Sequence, residues 1–144
     1  MNQDLIINSK PWDMKTIFLN KIKERGGFTC HHAHFDKAYL ISNDNLVLSQ
    51  RDMQDKWRLY RELKKNYTFK DLYARISRAV EKMIEQGVTH CRSFIDADEL
   101  VGLLPLQAAL AVREDYSHKI HLEYAVQPLE GVLEPRAQEA FVAA

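Results

Sequence analysis

Between residues 68 and 87 the apolar positions Leu72, Ile76, Ala79, Val80 and Met83 recur at the spacing of a helix that buries one face. Thr68 is a good N-cap with Asp71 three residues on, and Gly87 stops the run. A similar rhythm at Trp12, Ile17, Phe18 and Ile22, with Pro11 in the first turn and "ERGG" at the end, predicts a helix over 11–25. "QRDMQDKWRLYRELKK" predicts another, with Met53, Trp57 and Tyr60 on one face. "LLPLQAALAVREDY", with Pro105 near its start, and "EPRAQEAFVAA" predict two more. Between them lie short β-prone runs, "FTCHH", "VTHCRSFIDA" and the alternating "KIHLEYAVQ". The segment from His34 to Ser49 is mixed, with a helical turn expected at "DKAYLI" and a loop at "SNDN". Strands alternating with helices predict an α/β protein with parallel strands and crossover helices.

The chain has 144 residues, which suits one domain with a real core. Its 20 basic and 20 acidic residues cancel, so no nucleic-acid footprint is present and no such partner is expected. No apolar run approaches a membrane span, and the N-terminus lacks the pattern of a signal peptide. The two cysteines, Cys30 and Cys91, make no disulfide framework, so a reducing, cytoplasmic setting is expected.

The candidate chemistry is in "GGFTCHHAHFDKAYL", which holds three of the six histidines. Residues two apart on a strand point the same way, so His32 and His34 can aim both imidazoles at one point. His31 is then expected to face the other side. Ligands bind at the carboxyl ends of parallel strands, and imidazole suits zinc or iron. The bland alternative is a pair of solvated or backbone-bonded histidines. Two ligands also fall short of the three of a catalytic zinc site. His90, His118 and His121 lie at the start of later strands or within them, and are read as structural or solvated.

At "CHHAHFDKAYL" the sequence resembles the amidohydrolase superfamily, in particular its cytosine deaminase-like branch. The signature there is His-x-His at the end of the first barrel strand, matched by His32-Ala33-His34 and followed by Phe35-Asp36-Lys37. "GVTHCRSFIDAD" is similar to the second strand of that family, and "YAVQPLEGVL" more loosely to the third. The resemblance implies the N-terminal part, about three β/α units, of a (β/α)8 TIM-type barrel. It implies a divalent metal, zinc or iron, held by His32 and His34, and a water that hydrolyses or deaminates a C–N bond of a small substrate. It makes Asp36, Arg92, Asp96 and Gln127 substrate-binding or site-shaping residues. For Arg92 and Asp96 the alternative is a bracing ion pair. For Asp36 it is a turn cap, and for Lys37 a solvated or ion-paired charge. Two departures stand out. Phe94 replaces the family's second-strand histidine, and Leu129 stands where a cytosine-contacting glutamine is usual, with Gln127 two residues earlier. Both count against cytosine itself as substrate.

A closed barrel of this kind takes roughly 250 residues. The expectation is therefore a truncated chain, inactive alone, whose open edge favours self-association. A non-catalytic remnant, or a subunit that completes a barrel with another chain, is the alternative. A third reading is a compact three-layer protein whose histidines bind nothing.

Overall fold

The computed structural model describes residues 13–129 and 131–144. Pro11 and Trp12, used to predict the start of the first helix, lie outside the described residues. Within them, α1 spans Met14–Glu24 and leads into β1, Phe28–Ala33. A single 3₁₀ turn, Phe35–Lys37, follows, which is all that forms of the helical turn expected at 36–41. A short α2, Leu46–Ser49, sits in the stretch read as mixed, and α3 is Met53–Lys64. Then come α4 (Phe69–Glu85), β2 (Val88–Asp96), α5 (Leu104–Tyr116), β3 (His121–Gln127) and α6 (Pro135–Ala143).

Helix α4 starts where the sequence says it should. Thr68 is in extended backbone, and its hydroxyl accepts the Asp71 N–H at 3.1 Å. The Asp71 carboxylate does not close the box; it takes the Arg75 guanidinium at 2.8 Å instead. Gly87 ends the helix at φ +84°, its N–H bonded to the Ile84 carbonyl at 3.0 Å. Leu72, Ile76 and Val80 are completely buried on one face of α4. They join Ile95, Leu122 and the α5 residues Leu106, Ala109 and Val112 in one cluster. Each large aliphatic side chain buried there stabilises the fold by about 1.5–3 kcal/mol.

The three strands lie in the order β1-β2-β3, all parallel, with helices in the crossovers. Register between β2 and β3 is unbroken from His90↔His121 to Asp96↔Gln127. Register between β1 and β2 slips: Cys30 faces Cys91, but Ala33 faces Ser93. Three residues of β1 thus span two of β2, so the slip falls at His31 and His32. It has a direct consequence for His31. Strict alternation would turn its ring away from the face of His32, whereas His31 lines a cleft with His90, Arg92 and His121. These share the face of Phe94, so the extra residue of the bulge corrects the expectation for His31. Entry to β1 is tight as well. Gly27 sits at φ +79°, and a Cβ there would lie 2.3 Å from the Thr89 side chain.

No helix among the described residues is long and apolar enough to cross a membrane. The core account makes a test. Ile95 is completely buried in the middle of the cluster. Ile95→Ala is expected to cost about 3 kcal/mol in urea unfolding, whereas Ala substitution of exposed Val47 is expected to cost under about 0.5 kcal/mol.

Candidate functional site

The C-terminal ends of β1, β2 and β3 form one rim. The Nε2 atoms of His32 and His34 stand 3.1 Å apart there, with ring centroids 4.9 Å from each other. Both rings rest on Phe94, at 5.0 Å and 5.5 Å between centroids. The aromatic residue on the central strand therefore acts as a floor for the pair. Burial and the nearby Lys37 charge hold His34 below the usual histidine range, so its imidazole is neutral near pH 7. Its Nδ1 is buried without a hydrogen-bond partner.

Behind the pair lies a buried charge network centred on Asp96, which has no exposed surface. One of its oxygens accepts from Lys37 Nζ at 2.7 Å and from Gln127 Nε2 at 2.8 Å. The other faces Lys64 Nζ at 2.5 Å. Lys64 comes from the last turn of α3 and also donates to Asp98 at 2.6 Å. Burial alone would lower the Lys64 pKa, but the two aspartates outweigh it and raise it. Burial alone would raise the Asp96 pKa, and the two lysines reverse that and lower it. The pairs are therefore charged.

Asp36 closes the network from the 3₁₀ turn. Its carboxylate accepts the Asp96 N–H at 3.1 Å, and its carbonyl takes Arg75 at 2.7 Å and the Tyr67 hydroxyl at 3.1 Å. Phe35 N–H donates to Ser93 Oγ at 2.9 Å, which pins the same turn to β2. Asp36 is thus a buried brace between β1 and β2 and caps no turn with its side chain. Burial and the Asp96 charge push its pKa up to about 6.

Of the residues singled out from the sequence, His32, His34, Asp36, Asp96 and Gln127 gather at this rim. Arg92 does not. Its guanidinium donates to Glu123 at 2.9 Å and 2.7 Å, on an exposed part of the sheet. The bracing ion pair between Arg92 and Asp96 does not form, because four residues of strand separate them by about 13 Å. Lys37 is ion-paired, as one of its two readings held. His90 and His121 lie together, ring centroids 5.5 Å apart, away from the rim. Lys64 was missed. A lysine buried to 3% exposure is rare, yet it continues the α3 face of Trp57 and Tyr60 at helical spacing. That continuation was the available signal.

Among the described residues no group of three or more His, Cys, Asp or Glu could hold a metal ion. The histidine pair does fit as half of such a site. Two nitrogens each about 2.0–2.1 Å from a tetrahedral zinc stand about 3.3 Å apart, close to the observed separation. Next to the pair, a cavity of about 430 Å³ opens between the rim and α3, lined by His34, Lys37, Lys56, Trp57, Tyr60 and Gln127 among others.

Comparison with known proteins bears on this arrangement. The fold matches the crystal structure of 5-methylcytosine deaminase from Klebsiella pneumoniae liganded with 5-fluorocytosine, with TM-score 0.68 and 25% identity. That match covers 79% of this chain and 27% of the deaminase. N-isopropylammelide isopropylaminohydrolase from Burkholderia multivorans matches with TM-score 0.63 and 24% identity, over 82% of this chain and 30% of that one. In sequence, an uncharacterized protein of Haemophilus influenzae is 37% identical over 128 residues, 88% of this chain. The chain spans 46% of that relative's length. No protein-family profile matches. The open three-stranded α/β sheet thus matches part of a TIM-barrel amidohydrolase, as the strand order and motifs led one to expect.

The network carries a pH test in the metal-free chain. Asp36 is raised from about 3.9 to about 6, so folding favours its protonated form. That contribution is full below about pH 4 and is lost as pH rises through about 6. Asp96 is shifted down, so its contribution has the opposite sign and is lost as pH falls. Asp36→Asn is therefore expected to gain stability relative to wild type between about pH 4 and about pH 7 in urea titrations. A difference that stays flat with pH contradicts the assignment.

Proposed function

We propose that these three β/α units contribute the metal-binding rim of a hydrolase that cleaves or deaminates a C–N bond of a small, cyclic substrate. The observation that carries the reading is the approach of His32 Nε2 to His34 Nε2, at 3.1 Å, beside buried Asp96 and an open cavity. The likeness to a deaminase and an aminohydrolase supports it at the level of reaction class.

His32 and His34 would be two ligands of a zinc or iron ion. When bound, the metal would supply an acidified water as nucleophile. The chain's own residues have distinct tasks. Phe94 limits the tilt of both imidazoles and keeps water from one side of them. The neutral state of His34 leaves its ring lone pair available without competition from a proton at pH 7. Asp36 and Ser93 fix the turn after β1, and with it the direction of the His34 side chain. Asp96 is held charged by Lys37 and Lys64, and through Lys37 it anchors the turn after β1 at the rim. Gln127 donates its amide to Asp96, which leaves its carbonyl oxygen to accept from a ring N–H or an amino group. Arg92 takes no part at this rim, since Glu123 holds it elsewhere on the sheet.

Two protein ligands hold a metal weakly, so the measurable property of this chain is exchangeable binding rather than turnover. Calorimetric titration with zinc at pH 7.5 is expected to give one site of micromolar affinity or weaker. His32→Ala and His34→Ala should each remove it, and binding should decline as the pH falls and protons compete with the metal for ring nitrogen. Equal zinc binding by the wild type and the double alanine variant would refute the assignment.

A further inference from the structure

The cavity beside His34 has an electrostatic character that the metal site does not explain. It is lined by Lys37 from the turn after β1, by Lys56, Trp57 and Tyr60 from α3, and by Leu129. A second cavity, of about 460 Å³, adjoins it through Trp57 and Leu129 and is lined by Arg58 and Arg61. Among the described residues no Asp or Glu lines either one. The cations are not equivalent. Lys37 is committed to Asp96 at 2.7 Å. Arg58 pairs with Asp55 and Arg61 with Glu99. Lys56 is half-buried, and among the described residues no ion pair or hydrogen bond engages its side-chain ammonium. An ammonium with no partner, carried by a half-buried lysine on the wall of an aromatic cavity, can meet a ligand's anionic group.

We infer that Lys56 reads a carboxylate on the substrate, so that the substrate class is a flat ring bearing an anionic substituent. This rests on the hydrolase reading above for the identity of the cavity as a substrate site. Trp57 and Tyr60 supply the apolar contact for the ring, and Lys56, one residue before Trp57 on α3, meets the charge at its edge. His34 and Gln127 then face the part of the ring opposite the carboxylate. Lys64 has a positioning role: its ion pairs with Asp96 and Asp98 fasten the end of α3 to β2 and so set the width of the cavity.

The test uses the whole chain and two probes of the same shape, benzoate and neutral benzamide, followed by the Trp57 indole resonance in NMR titrations without added metal. Benzoate is expected to bind at least about fivefold tighter than benzamide, with the preference shrinking as salt is raised to about 0.5 M. Lys56→Met should abolish the preference while benzamide binding stays unchanged, and Lys56→Arg should restore it. Equal affinity of the two probes overturns the inference. So does benzoate that fails to shift Trp57, or a preference that survives in Lys56→Met. The metal reading fails separately: a benzoate preference that persists in a chain unable to bind zinc supports the anion site and counts only against the hydrolase assignment.

Discussion

The carboxylate of Asp96 is the point on which the rim depends. It sits at the end of the central strand, out of contact with water, and draws Lys37 from the turn after β1, Lys64 from α3 and Gln127 from β3. Its backbone N–H is taken by Asp36. An isolated buried carboxylate costs several kcal/mol, so the fold keeps Asp96 only because these groups converge on it. The converse also holds. Four elements reach their mutual positions because each must deliver a polar group to one place. The position of the histidine pair follows from that constraint, since His34 immediately precedes the turn that carries Phe35, Asp36 and Lys37.

The two ends of the sheet differ in what their side chains do. Toward the start of the strands, His90, His121, Arg92 and Glu123 are largely exposed and pair loosely with one another. Such exposed pairs stabilise little. Toward the far end, the polar groups are buried, doubly engaged and shifted in pKa. Burial combined with specific charge partners marks a candidate site, and among the described residues this rim carries it.

Much of this was legible in the residues. Helix α4 could be read to its ends from one apolar stripe, a threonine cap and a terminal glycine. The pairing of His32 with His34 followed from strand periodicity. What escaped was set by long-range contacts. The bulge at His31 and His32 arises from how β1 docks on β2, and no local pattern announces it. The partner of Arg92 is fixed by the register of β3, which places Glu123 directly across from it. Lys64 was hidden because a lysine at the end of an exposed helix is ordinarily solvated; only the position of Asp96 and Asp98 draws it inward.

The central claim is that this network turns two imidazoles onto one point where a cation can sit. X-ray absorption at the zinc edge, on the chain loaded with less than one equivalent of zinc, tests it most directly. The account predicts a first shell of nitrogen and oxygen at about 2.0 Å, with the outer-shell carbon scattering of two imidazole rings. A spectrum without imidazole outer-shell scattering, or a first shell with a sulfur from Cys30 or Cys91, would contradict it.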